Sequence, residues 1–359
     1  MMCRNAIIPI TVGLLMYLDT SAQSVADSTT WTLGLQGHYG FIIPHSRELI
    51  DVSQTYPWGI QVDWSRIRHT TKAWNACNCY SRNGIILGYF DFNNPQVLGR
   101  SFSASLFAEP VLTHGKVNLS LRTGFGITYL TNVYHAEENP SNLFFSSPIS
   151  GLLMVQLNGR FPITESWTIR AGASYHHISN GGFRKPNKGM NFPMLGMGIE
   201  HVFNPMPFQV RSKSNAFSKS VHFYTGLFTN TRSVEVLGAE TGQRKLMVGM
   251  QVGAYRRFTH LNAVGLATEF SYDNSIRLST PAYNPGVFST LMRHHLLFGK
   301  FDFSQALGIY LFRDYPSDHR VYQRYAIDYA IMHPFRIGFS LKAHRHIAEQ
   351  MDIRITAHF

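Results

Sequence analysis

The last nine residues, MDIRITAHF, constrain the fold more than any other part of the chain. Met351, Ile353, Ile355, Ala357 and Phe359 fall on one side, and Asp352, Arg354, Thr356 and His358 on the other, an unbroken period of two. Alternate side chains of an extended strand point to opposite faces, so one row of this segment needs an apolar medium and the other a polar one. Upstream the pattern recurs. KVNLSLRTGFGITYL, KLMVGMQVGAYRRF, HLNAVGLATEFSY, QALGIYLF and PFRIGFSLKAH are glycine- and aromatic-rich and bounded by turns, and at about ten residues each they carry the weak, repeated signal of tilted membrane strands.

The final segment also resembles the closing strand of bacterial outer-membrane β-barrels, in which a terminal Phe acts as the insertion signal. The 26 Phe and 17 Tyr suit aromatic girdles at the two membrane interfaces; the competing reading is the core of a soluble β-sandwich. At the other end, Arg4 precedes an apolar run, Ala6 to Leu18, followed by TSAQS. That is the layout of a secretory signal peptide, with cleavage expected after Ala22. The run is shorter than the roughly 20 residues of a membrane helix, and no later run approaches that length. Cys3 lies before the run, whereas a lipoprotein cysteine lies at its end. The expected fold is all-β: a transmembrane, antiparallel outer-membrane barrel of about sixteen strands. Fourteen strands, or an eight-stranded barrel followed by a second barrel, are the alternatives. One larger barrel is the first choice, because the insertion signal lies at the far end and Pro205 to Ser218 has no linker composition. The parts are then 1–22 (signal peptide), 23–204, and 205–359 (further barrel strands).

The net charge of +11 favours anionic partners. Export makes phosphorylated lipid a better expectation than nucleic acid. Cys77 and Cys79, in NACNCYS, fall short of a four-ligand metal set and read as loop thiols or a local disulfide. No cofactor is expected. The gaps between strands tend to alternate in length: long for Ile43 to Tyr56, Thr131 to Ser147, Ser179 to Asn191, Asn230 to Gln243 and Asp273 to Thr290, short for Thr113 to Gly115, Pro162 to Ser166 and Met332 to Pro334. Long outside and short inside is the outer-membrane rule. The segment His69 to Arg82 breaks it.

On that orientation the stretch ASYHHISNGGFRKPNKGMNF, Ala173 to Phe192, begins at the outer end of a strand. Trp167, Ile169, Ala171, Ala173 and Tyr175 form an apolar row facing lipid, and the row continues into His177 and Ser179. Thr168, Arg170, Gly172, Ser174 and His176 face the lumen. On the next strand Pro193, Leu195, Met197 and Ile199 face lipid, which by the same period turns Asn191 outward as well. A hydroxyl nucleophile needs a base within reach and a third group to hold that base. His177 and Ser179, at i and i+2, share a side, and Asn191 could orient the imidazole. The plainer reading is a set of interfacial anchors, cheap near the headgroups.

The segment HISNGGFRKPNKGMNF resembles the signature of the outer-membrane lipid A deacylase family, the PagL type, also labelled acyloxyacyl hydrolases: His-x-Ser-Asn, a Pro-Asn-x-Gly turn, then a strand. YGFIIPHSREL, YPWGIQVDW, GYFDFNNPQVLG and FAEPVL extend the likeness over Trp31 to Asn204. The resemblance implies His177 as base, Ser179 as nucleophile and Asn187 as an oxyanion donor. The family's triad carboxylate corresponds to Asn191. Glu there would orient the His and stabilise its imidazolium; Asn can only orient it, as in Cys-His-Asn enzymes. Glu200 cannot substitute, since its parity points it inward. The expected function is an outer-membrane esterase that removes an acyl chain from lipid A or lipopolysaccharide. Asn180, Arg184, Lys185 and Lys188 are the expected substrate contacts, and divalent metal is not required. A channel with a functional lumen and a non-catalytic structural barrel are the alternatives.

Overall fold

The computed structural model describes residues 29–359 except 114, 208–210, 214–216, 235–242, 280–281, 316–318 and 346. The expected signal peptide, 1–22, lies outside the described residues. The described residues form sixteen antiparallel strands: β1 (Thr29–Gly40), β2 (Trp58–Arg68), β3 (Ser81–Asp91), β4 (Arg100–Pro110), β5 (Asn118–Leu130), β6 (Ile149–Pro162), β7 (Trp167–Ser179), β8 (Met190–Phe203), β9 (Val221–Val234), β10 (Gln243–Arg257), β11 (Asn262–Asp273), β12 (Gly286–Phe298), β13 (Phe301–Arg313), β14 (Val321–Met332), β15 (Phe335–His344) and β16 (Ile347–His358).

They close as two barrels, β1–β8 and β9–β16, so the single larger barrel gives way to the tandem alternative. The closing pairs supply the reason. β8 returns to β1 in the register Trp31↔Phe203 to Gly40↔Met194, which leaves it no edge to offer β9. β16 pairs with β9 from Ile353↔Thr229 to His358↔Tyr224. Phe359 completes that seam with backbone hydrogen bonds of 2.8 and 3.1 Å to Phe223. An unpaired edge in hydrocarbon has no water to satisfy it, so each sheet must close on itself.

Side chains are distributed as a membrane barrel requires. Arg122, Arg170, Arg293 and Arg324 are fully buried, while Leu106, Leu195, Leu227 and Leu266 stand exposed on the outside. A soluble sandwich would show the reverse. Inside the first barrel six charges alternate in a closed ring. Asp63 pairs with Arg122 (3.0 Å), Arg122 with Glu109 (2.9 Å), Glu109 with Arg160 (2.7 Å), Arg160 with Glu200 (2.8 Å), Glu200 with Arg170 (2.7 Å), and Arg170 with Asp63 (2.6 Å). In the second barrel Arg324 bridges Glu269 and Asp352 at 2.9 and 2.7 Å. An eight-stranded interior is just wide enough for such side chains. The pore that a sixteen-stranded barrel would enclose is therefore not formed, and the channel reading loses its physical basis.

Outer connections of the first barrel converge on a buried apolar cluster that includes Ile42, Leu49, Phe92, Phe144, Phe145, Ile178 and Phe192. The inner connection between β2 and β3 is long because it is built to be held. It contains a short helix, Thr71–Asn75, capped by Thr70, whose hydroxyl accepts from Ala73 N at 3.2 Å, and a Cys77–Cys79 disulfide. Arg211, between the barrels, donates to Tyr80 OH (2.9 Å), Thr71 Oγ1 (3.0 Å) and His69 O (3.1 Å). His260 Nε2 and Gly299 N, from the second barrel, donate to Asn75 O (2.7 Å) and Ala76 O (3.2 Å). The exceptional length serves as a seat for the inter-barrel connection and for the second barrel.

Candidate active site

The β6–β7 turn sets the register that brings the site together. Ile163 N donates to Trp167 O at 2.8 Å, and Thr164 Oγ1 accepts from Ser166 N and Trp167 N at 3.2 and 3.0 Å. From that turn β7 runs up the barrel with Thr168, Arg170, Ser174 and His176 buried in the lumen and Trp167, Ala173 and Tyr175 exposed outside. His177 and Ser179 continue the outward row, both half-buried. The β7–β8 ladder places Asn191 directly opposite His177. Its outward orientation follows, since Leu195, Met197 and Ile199 on the same row are exposed.

His177 Nδ1 donates to Asn191 Oδ1 at 2.6 Å, which fixes the ring and leaves Nε2 as the basic nitrogen. Ser179 Oγ accepts from Asn187 Nδ2 at 2.9 Å and from Gly181 N at 3.1 Å. Asn187 cannot turn its amide over without loss, because its Oδ1 accepts from Asn180 N at 3.1 Å. Among the described residues no hydrogen bond joins His177 to Ser179. The two share one face, and such contacts commonly tighten only when substrate is bound.

Residues 180–189, which carry Asn187, depend on glycine. Gly181, Gly182 and Gly189 have φ of +65°, +80° and +73°, a region open to glycine at no steric cost. A Cβ on Gly189 would also lie 2.9 Å from His177 Cε1. The return half of the loop is tied to its neighbours: Lys188 N donates to Leu143 O (3.1 Å), Gly189 N to Phe144 O (2.9 Å), and Ser146 Oγ to Arg184 O (3.0 Å). His45 Nε2 donates to Lys188 O at 2.8 Å.

The four expected substrate contacts do not behave alike. Arg184 and Lys185 are exposed at the outer surface. Lys188 is paired with Glu48 and donates to Ser46 Oγ at 3.2 Å. Asn180 is buried and spends its side chain on the loop, Nδ2 to Arg184 O at 2.8 Å and Oδ1 from Gly182 N at 2.9 Å. It braces the loop in this structure. The Gly181 N–H, the His45 support and the Glu48 partner were not foreseen. The His45 and Glu48 contacts bring together residues about 140 positions apart, which no local pattern encodes, whereas the Gly181 contact is a local serine turn between residues i and i+2. Glu200 lies in the lumen with Arg160 and Arg170, as its parity requires.

Two closed antiparallel barrels, apolar outside and charged inside, define an outer-membrane-type β-barrel protein, with a cluster of His177, Ser179, Asn187 and Asn191 on the outward side of the first. Residues 50–200 match the family model described as lipid A 3-O-deacylase (PagL), and residues 218–359 match that of the acyloxyacyl hydrolase C-terminal domain. The chain belongs to this PagL-type family. Among solved structures, the outer membrane enzyme PagL aligns at TM-score 0.35 and 14% identity, covering 46% of this chain and 97% of that one. Neisserial surface protein A aligns at 0.34 and 11%, covering 48% and 96%. A mutant Rh. blastica porin aligns at 0.22 and 9%, covering 92% and 100%. No curated protein matches by sequence.

Proposed function

We propose that the chain is an outer-membrane esterase that removes an ester-linked acyl chain from lipid A or a related glycolipid. The observation that carries this is the convergence of Asn187 Nδ2 and Gly181 N on Ser179 Oγ, beside an imidazole held by Asn191, on the side that meets lipid. Ser179 Oγ attacks the ester carbonyl while His177 Nε2 takes its proton, then returns it to the departing sugar hydroxyl. Water, deprotonated by the same nitrogen, releases the fatty acid from the acyl-enzyme. Asn187 and the Gly181 N–H stand within reach of the oxyanion that forms next to Oγ. Asn191 keeps the tautomer but adds no charge to oppose the imidazolium. Arg184 and Lys185, exposed beside the site, suit the phosphates of lipid A. Beyond Pro193, the outward row of β8 continues through Leu195 and Met197 beside Tyr39, Trp58 and Ile60, an open apolar surface against which an acyl chain can lie.

Mass spectrometry of lipid A from cells with the intact chain, with Ser179→Ala and without it tests the reading. The expected result is loss of one acyl chain only with the intact protein. Identical lipid A in all three cultures would sink it.

A further inference from the structure

Some of the contacts between the two barrels fall on the loop that carries Asn187. Its outgoing half, Gly181 to Phe183, runs through two left-handed glycines, and its backbone N–H at Gly181 reaches Ser179 Oγ at 3.1 Å. Arg244 of β10 donates from Nη2 to Phe183 O at 2.9 Å and sets its guanidinium 3.4 Å from the centre of the Phe183 ring. Met351 of β16 fills the space beside Gly181, where a Cβ would come within 2.7 Å of its Cε. Below this, Phe125 of β5 meets Phe339 of β15 with ring centroids 5.6 Å apart. At the inner rim, His260 and Gly299 hold the 69–80 seat.

We propose that the second barrel acts as a docked support for the site, with Arg244 as a positioning residue that helps hold the Gly181 N–H on Ser179. A Gly-Gly segment loses more backbone freedom on ordering than any other. Donors ordered in advance need no rearrangement during the reaction. The loop's return half is tied within the first barrel; on the outgoing half Arg244 and Met351 add to the bonds that Gly182 N and Phe183 N make to Asn180. The second barrel thus contributes to catalysis without touching the reacting atoms. The catalytic consequence rests on the deacylase reading above; the docking does not.

The test uses the full chain in detergent, as wild type, Arg244→Ala and Arg244→Lys. One arm measures kcat and KM on purified lipid A in mixed micelles. The other follows tryptic cleavage after Arg184 by mass spectrometry, which reads loop order without reference to activity. Arg244→Ala should lower kcat by about tenfold with KM nearly unchanged, as loss of one hydrogen bond and one cation–π contact implies, and should speed cleavage after Arg184. Arg244→Lys, which keeps the charge and a donor, should recover part of both. Unchanged cleavage in Arg244→Ala would overturn the docking. Faster cleavage at unchanged kcat would overturn the positioning role. A wild-type protein inactive on lipid A would sink the deacylase reading, and the cleavage arm would then decide the docking alone.

Discussion

Each barrel carries a histidine on its lipid side that is hydrogen-bonded to an asparagine of the neighbouring strand, and the two are chemically unlike. In the second barrel His294 Nε2 donates to Asn262 Oδ1 at 3.0 Å, and its Nδ1 accepts from Gln305 Nε2 at 3.3 Å. Both ring nitrogens are engaged. Asn262 Nδ2 in turn donates to Thr259 Oγ1 at 2.9 Å. In the first barrel, among the described residues, only Nδ1 of His177 is taken, and Nε2 shares its face with a serine that has two donors of its own. The difference comes from what adjoins each pair. His177 and Asn191 lie where residues 180–189 connect β7 to β8, whereas Asn262 opens β11 just after the short turn that follows Arg257, with His294 on the paired strand β12. A His–Asn pair on a membrane face is thus an anchor by default, and it becomes a catalytic candidate only where a loop brings a hydroxyl and donors to it.

The sharpest way to break this contrast is to remove each histidine. Ser179→Ala and His177→Ala should each reduce lipid A hydrolysis by roughly a millionfold, since members of one catalytic unit fail singly about as badly as together. His294→Ala should leave the rate of purified protein unchanged. Equal losses at 177 and 294 would erase the distinction. Next in size, Asn187→Ala should cost about 10²–10³-fold in kcat, the usual effect of losing one oxyanion donor. A loss confined to KM would make Asn187 a binding residue instead.

Asn191→Ala should lower kcat by about a hundredfold through misplacement of the imidazole, with KM little affected. Asn191→Glu should match or exceed the wild-type rate, because a carboxylate opposes the developing imidazolium charge. A slower Glu variant would show that the asparagine has been matched to its surroundings. The smallest expected effect on rate is at the lumen. Glu109→Gln leaves Arg122 and Arg160 short of a carboxylate and should destabilise the first barrel by about 3–5 kcal/mol. Thermal unfolding followed on heat-modifiable gels measures that, and the protein that stays folded should retain its kcat.

Much of the site was legible in the sequence. The period of two set His177, Ser179 and Asn191 on one face, and pairing across β7 and β8 brought His177 and Asn191 within 2.6 Å. Asn187 was legible only through resemblance, since nothing in the spacing of PNKG says that its amide turns back onto Ser179. The burial of Asn180 was not legible for a related reason: nothing in a polar loop's sequence says that the loop will fold over one of its own residues. The pairing of Lys188 with Glu48 depends on a connection far away in the chain.

The sequence by itself determined the strands and their faces, because alternation is built into the covalent geometry of an extended chain and needs no partner to be read. It also pointed to the row that meets lipid, since on most strands the outward row is free of charge while the inward row carries the charged and polar residues. How the strands close was left to tertiary structure. Whether β8 pairs with β1 or passes its edge to β9 depends on two segments some 160 residues apart meeting in register, an outcome set by the joint cost of every unpaired edge in hydrocarbon. Tertiary structure likewise decided that the long inner connection would become a seat for the second barrel, and that a loop rich in glycine would be held over Ser179.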